Sequence, residues 1–215
     1  MGDSIRDRRV QYETAGLDVG DLDADPIVQW QRWHDAALDA GVVEPNAMTL
    51  STIGTDGIPD SRIVLVRGLD ARGLVFYTNY DGAKSQQLDA NAVASATFGW
   101  LDLHRQVRVR GPVERVSAEE SDNYFASRPR ASQLGAWSSP QSNEIADRSV
   151  LDDLVAATDK RFATAEVIPR PANWGGWRLM PTEWEYWQGR PSRLHDRLRY
   201  RPDSDGTWNI TRLAP

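Results

Sequence analysis

Ser61 to Thr78 reads SRIVLVRGLDARGLVFYT. Ile63, Val64, Leu65 and Val66 form an aliphatic, largely β-branched run that suits a buried strand, expected over Ser61–Arg67. Asp70, Ala71, Arg72 and Gly73 have the composition of a hairpin turn. Leu74–Thr78 is then the returning strand. Two strands joined by a tight turn point to antiparallel β structure.

The neighbouring sequence extends this pattern. Upstream, Ala47–Ile53 reads as a strand followed by turn residues Thr55, Asp56 and Gly57. Before it, Asp25-Pro26 is an N-cap with proline at the first helical position. Ile27, Trp30, Trp33, Ala37 and Leu38 follow at helical spacing, and Gly41 ends that helix. Residues 1–24 show no periodicity and are expected to form a flexible segment able to close over another part of the molecule.

Downstream, a short helix is expected from Gly82 to Leu88, then strands over Val93–Trp100 and Gln106–Val116. Ser117-Ala-Glu-Glu is a capping signal for a helix carrying Tyr124 and Phe125, with a second short helix after Arg130. Asp147–Ala163 has helical periodicity. Strands return over Trp174–Leu179, Trp184–Gln188, His195–Tyr200 and Trp208–Arg212. The fold class is mainly β with helices (α+β): a small antiparallel barrel with helical additions, in one domain over residues 25–215. No strand, glycine-rich turn and helix follow one another in the manner of a dinucleotide-binding unit.

Composition narrows the function. The chain has 215 residues, 40% hydrophobic and 26% charged, as in ordinary soluble proteins. No apolar run is long enough for a membrane helix, and the charged N-terminus lacks a secretory h-region, so a cytoplasmic location is expected. There are no cysteines, which removes disulfides, thiolate metal sites and cysteine nucleophiles. The net charge of −6 argues against general nucleic-acid binding. Against that acidic background, arginines cluster at 105, 108 and 110, at 128 and 130, and at 193, 197, 199 and 201. Such clusters can hold small anions, although each arginine alone reads as a solvated charge.

Three segments could carry chemistry. Arg62 and Arg67 flank the apolar strand and, five residues apart, face opposite sides unless a bulge intervenes. Nearby, Tyr77 and Thr78 end a strand and Lys84 opens a helix, a combination suited to phosphate or to plain capping. Tyr124 and Arg128, four apart, share a face if the helix continues that far, and Ser132 lies one turn further if the helix resumes beyond Pro129. Together they can donate to phosphate oxygens, or simply cap a helix end. Finally, Arg193, His195 and Arg197 fall on one face if that segment is extended, presenting guanidinium groups and an imidazole to a flat anionic ring. His34, His104 and His195 are the only histidines and have no metal-ligand spacing, and no nucleophile elbow or P-loop occurs.

With these residues in view, the chain resembles the pyridoxine (pyridoxamine) 5′-phosphate oxidases from about Arg9 to Pro215. The match is carried by RIVLVR (Arg62–Arg67) with FYTN (Phe76–Asn79), RQV (Arg105–Val107), YFASRPRASQLGAW (Tyr124–Trp137) and WQGRPSRLHDR (Trp187–Arg197), with RLAP (Arg212–Pro215) at the end. The last long block belongs to a C-terminal region, about residues 173–215, that sets these oxidases apart from other flavin-binding split barrels. The resemblance implies an FMN-binding split β-barrel homodimer with FMN between subunits. It assigns FMN contacts to Arg62, Ile63, Val64, Leu65, Val66, Arg67, Tyr77, Thr78, Lys84, Gln106, Gln141, Ser142, Trp187 and Arg197. It assigns the substrate phosphate to Arg67, Tyr124, Arg128 and Ser132, and the substrate ring and catalysis to Arg193 and His195. Arg9 and Tyr12 match a segment that closes over the site. The implied reaction is oxidation of a phosphorylated B6 vitamer by O2. Two positions depart from the family pattern. Arg67 stands where lysine is usual, and Ala83 where a basic residue often precedes Lys84. Alternatives are a split-barrel flavin oxidase with another substrate, such as one of a phenazine pathway, a non-catalytic flavin-binding protein, and an interaction module using the arginines.

Overall fold

Helix α1 (Pro26–Asp39) begins where the sequence places it. The Asp25 carboxylate accepts the Ile27 N–H at 2.8 Å, and Pro26 occupies the first turn, where its missing N–H costs nothing. Gly41 ends it at φ 78°, a left-handed conformation that glycine adopts without strain. The structure is a computed structural model that describes Tyr12 and residues 14–215.

The remaining elements are β1 (Ala47–Ile53), β2 (Pro59–Leu65), β3 (Gly68–Asp70), β4 (Gly73–Asn79), α2 (Ala83–Ala90), β5 (Val93–Trp100) and β6 (Arg105–Arg115), then α3 (Ala118–Ser127), α4 (Arg130–Ser138) and α5 (Arg148–Arg161), and β7 (Trp174–Leu179), β8 (Glu183–Gln188), β9 (Asp196–Pro202) and β10 (Trp208–Leu213). The strands form one antiparallel sheet in the order β10-β9-β8-β6-β5-β1-β2. A branch curls it into a half-barrel: β7 pairs with β4 and with the end of β6, and β4 pairs with β3. Strand β6 changes partner, from β8 over Arg105–Arg110 to β7 over Val113–Arg115. Gly111 lies at that switch, where a Cβ would stand 1.9 Å from the Met180 carbonyl oxygen.

The core lies between α1 and the inner face of the sheet. Trp33 meets Tyr186 edge-on at 5.2 Å, and Trp30 meets Phe98 at 5.2 Å. Aromatic pairs of this kind contribute about 0.5–1.5 kcal/mol each beyond the area they bury. The buried hydroxyls are satisfied: Tyr186 donates to the Pro26 carbonyl at 2.6 Å and Tyr200 to that of Asp23 at 2.7 Å.

Four expectations change. The run Ile63–Val66 is not a buried strand. β2 ends at Leu65 and lies at the sheet edge, with Ile63 73% exposed. Arg62 and Arg67 do not face opposite sides, because the chain leaves the strand at Val66 and both side chains line one cavity. Arg193, His195 and Arg197 do not share an extended face. Pro191–Arg193 form a 3₁₀ turn with Ser192 and Arg193 at φ 57° and 63°, and β9 starts only at Asp196. Lastly, residues 17–24 are structured: Leu17 is buried, its N–H bonds Asp196, and Val19–Asp21 form a capped 3₁₀ turn.

Candidate active site

A cavity of about 750 Å³ opens between β2, β4, α2 and the α3–α4 corner. It is lined by Arg62, Arg67, Lys84 and Arg128, and among the described residues no carboxylate lines it. In a chain of net charge −6, this is a concentrated positive site.

The cations fall into two pairs. Lys84 and Arg62 make the first. Lys84 Nζ donates to Thr78 Oγ1 at 3.0 Å and to Gln141 Oε1 at 2.7 Å. Arg62 donates to Thr52, to Gln87 at 2.9 Å and to Asp60. Burial, then the charge of Arg62, pull the Lys84 ammonium below its ordinary pKa. The first turn of α2 closes this end. Ala83 N–H donates to Ser142 Oγ at 3.1 Å, and Gly82 leaves room for Gln141, whose Oε1 would lie 2.6 Å from a Cβ.

Arg67 and Arg128 make the second pair, with Tyr124 and Ser132 beside them. The helix stops at Ser127 and resumes at Arg130, and the turn at Arg128-Pro129 leaves Arg128 and Ser132 lining the same cavity. The Arg128 guanidinium lies 4.5 Å from the Trp174 ring centroid, and its buried Nη1 has no hydrogen-bond partner among the described residues. Burial, opposed in part by Tyr124, and then the charge of Arg67 lower its pKa. Tyr77, Tyr124 and Trp174 stack behind it, with Tyr77 and Tyr124 centroids 3.9 Å apart. Burial, then the charge of Glu120, push the Tyr77 phenol up to about 12, so it stays neutral at physiological pH.

A second group of expected site residues lies elsewhere in the same chain. Gln106, Trp187 and Arg197 form one cross-strand row on β6, β8 and β9. Strands β8 and β2 are four steps apart in the sheet, roughly 19 Å at about 4.8 Å per step. Arg197 is braced by Glu185 at 2.8 Å and donates to the Ala214 carbonyl at 3.0 Å. His195 packs 4.6 Å from Trp187 and 5.7 Å from Tyr12, centroid to centroid. Its Nδ1 accepts the Arg190 N–H at 3.1 Å, which places the proton of the neutral ring on Nε2.

Thus Arg62, Ile63, Val64, Leu65, Arg67, Tyr77, Thr78, Lys84, Tyr124, Arg128, Ser132 and Gln141 share one cavity. Ser142 backs it, Val66 turns into the core, and Gln106, Trp187, Arg193, His195 and Arg197 do not line it. Arg9 lies outside the described residues. Trp174 was missed, because a strand tryptophan in a chain with nine of them reads as core.

Residues 35–162 match the family described as pyridoxamine 5′-phosphate oxidase, and residues 174–215 match the pyridoxine 5′-phosphate oxidase C-terminal dimerisation region. The chain is 54% identical over 212 residues to a pyridoxine/pyridoxamine 5′-phosphate oxidase of Ralstonia pickettii (strain 12J), covering 99% of each chain. It is 52% identical to one of Saccharopolyspora erythraea, covering 96% of this chain and 93% of that one. The chain belongs to the pyridoxamine 5′-phosphate oxidase family. Its relatives in that family are oxidoreductases, and so is this protein. Among solved structures, PhzG from Burkholderia lata 383, in complex with tetrahydrophenazine-1-carboxylic acid, is 30% identical with a TM-score of 0.87, covering 96% of this chain and all of that one. An FMN-binding, pyridoxamine 5′-phosphate oxidase-related protein from Nostoc punctiforme shares the fold at 18% identity and a TM-score of 0.69, covering 86% of this chain and 97% of that one. The half-barrel is therefore the split barrel of the pyridoxamine 5′-phosphate oxidase family.

Proposed function

We propose that this protein binds FMN and oxidises pyridoxamine or pyridoxine 5′-phosphate to pyridoxal 5′-phosphate, with O2 as electron acceptor and H2O2 as product. The observation that carries this reading is the cavity with two cation pairs and no lining carboxylate among the described residues. Two anionic groups fit there, a flavin phosphate and a substrate phosphate. The residues fit FMN on chemical grounds: a buried ammonium held by neutral acceptors at the start of a helix is short of negative charge. Arg62, Thr78, Lys84, Gln141 and Ser142 would hold the flavin phosphate end, with Ile63, Val64 and Leu65 along its length.

Arg67, Tyr124, Arg128 and Ser132 would grip the substrate phosphate. Arg128 Nη1, buried and without a hydrogen-bond partner among the described residues, would donate to it. Each charge-assisted hydrogen bond there is worth roughly 1.5–3 kcal/mol. Bound FMN supplies the two-electron acceptor for the substrate C4′ carbon. The protein contributes orientation and charge, and alignment of reactants can remove up to about 7–11 kcal/mol of barrier. With an amine substrate the product imine is hydrolysed, so pyridoxamine phosphate, O2 and water give pyridoxal phosphate, ammonia and H2O2.

The protein is a homodimer in this reading, and the row Gln106, Trp187 and Arg197, with Arg193 and His195, completes the cavity of the other subunit. Exposed Ile63 on an edge strand and the match of residues 174–215 to a dimerisation region support it. Arg193 would pin the substrate ring, while His195 Nε2 exchanges a proton near it.

The likeness to PhzG keeps a second reading in view, an oxidase of an unphosphorylated ring. The Arg67–Arg128 pair favours the phosphorylated substrate. The test is the absorbance spectrum of purified protein, then anaerobic pyridoxamine 5′-phosphate. Flavin bands that bleach with the phosphorylated amine, and much less with pyridoxamine, support the proposal. A colourless protein, or equal bleaching by both amines, overturns it.

A further inference from the structure

Arg178 lies outside the cavity yet ties two of its walls together. It sits on β7 and is 1% exposed. Its Nη1 donates to Asp70 Oδ1 at 2.6 Å. Its Nη2 donates to both oxygens of Glu120, at 2.9 and 3.2 Å.

Both partners lead into the second cation pair. Asp70 ends β3, three residues after Arg67, and the Arg67 N–H bonds the carbonyl of Val75, the register partner of Arg178. Glu120 lies in the first turn of α3. Tyr124 is one turn further on the same helix face, and Arg128 caps the end. The helix is held a second time where Gly176 N–H donates to Ser121 Oγ at 3.2 Å. By contrast, none of the hydrogen bonds of Arg178 reaches Lys84, Thr78, Gln141 or Arg62.

We infer that Arg178 is a positioning residue for the substrate-phosphate subsite, setting Arg67 against Tyr124 and Arg128 through its grip on Asp70 and Glu120. A planar guanidinium can span two carboxylates on separate elements; a lysine ammonium keeps the charge but cannot reproduce the fork. The inference rests on the functional reading above.

The experiment uses the full-length protein with Arg178→Lys and, independently, Glu120→Gln. Three quantities are read: KM and kcat for pyridoxamine 5′-phosphate and for pyridoxamine, the FMN Kd by flavin fluorescence, and the Kd of pyridoxal 5′-phosphate for the flavin-free protein by tryptophan quenching. For Arg178→Lys, KM for the phosphorylated amine and the pyridoxal phosphate Kd rise about tenfold, the weight of one charge-assisted hydrogen bond. The FMN Kd, kcat and KM for pyridoxamine stay at wild-type values. Glu120→Gln moves the same two quantities by a smaller factor, and decides the matter if Arg178→Lys does not fold. A merely structural role predicts a lower Tm with no preference for the phosphorylated ligand. Unchanged phosphate-ligand binding, or an equal loss of FMN affinity, overturns the inference. Wild-type protein that neither binds FMN nor oxidises the phosphorylated amine overturns the functional reading instead.

Discussion

Lys84 carries a positive charge into a place that resists it. Burial and the neighbouring Arg62 lower its pKa, and its contacts are the neutral oxygens of Thr78 and Gln141. An anion relieves both strains at once. Lys84→Met should therefore raise the FMN Kd by about 10–100-fold, the equivalent of roughly 1.5–3 kcal/mol, in a flavin fluorescence titration. Flavin binding as tight as wild type would place the phosphate seat elsewhere. The sign of the pKa shift adds a pH arm: wild-type affinity should fall with rising pH before an ordinary lysine, at 10.5, loses its proton. At this scale much was legible in the sequence. Spacing grouped Tyr124, Arg128 and Ser132 on the condition of a helix running through them; they do share the cavity, but the break at Arg128-Pro129 brings them there. The posture of Arg193 was not legible, because Pro191 interrupts the strand and the next two residues turn left-handed.

Strand β7 shows how backbone shape prepares the cavity. Gly175 and Gly176 let α3 and the Tyr77 ring approach the sheet: a Cβ on Gly176 would lie 2.6 Å from Val116 Cγ2 and 2.8 Å from Tyr77 Cε1. Gly176→Ala should cost about 1–3 kcal/mol, as crowding in packed interiors does, and lower the Tm measured by circular dichroism. An unshifted Tm would mean that Val116 and the Tyr77 ring can shift freely. Elements of this kind were predicted well where a local signal exists. The Asp25-Pro26 cap, the Ser117 cap and the alternation of Gln106–Val116 all correspond to observed elements. The edge position of β2 was not predicted, because burial of an apolar run depends on what lies beside it in space, and the described residues of one chain leave Ile63 73% exposed.

Across the whole molecule, buried phenols set an alkaline limit. Tyr77 is pushed up to about 12, and Tyr186 and Tyr200 also move upward, in each case first by burial. A raised pKa in the folded state means stability that is complete below the ordinary phenol value of 10 and drains as pH climbs toward 12. Urea midpoints should hold steady up to about pH 10 and fall beyond it. A flat profile through that range would show that the folded phenols titrate as free ones. The sheet order has a further consequence for genetics. The cavity and the Trp187 row are about four strands apart in one chain, so in the homodimer proposed above lesions in the two would belong to different halves of each centre. When Lys84→Met and Arg193→Ala chains are unfolded together and refolded at equal amounts, with FMN too dilute to load the Lys84→Met seat, neither parent alone should recover activity, yet the hybrid pairs should regain one intact centre each. That amounts to about a quarter of the wild-type rate under random pairing. Complementation of this kind would let a cell carrying two different damaged copies still make product.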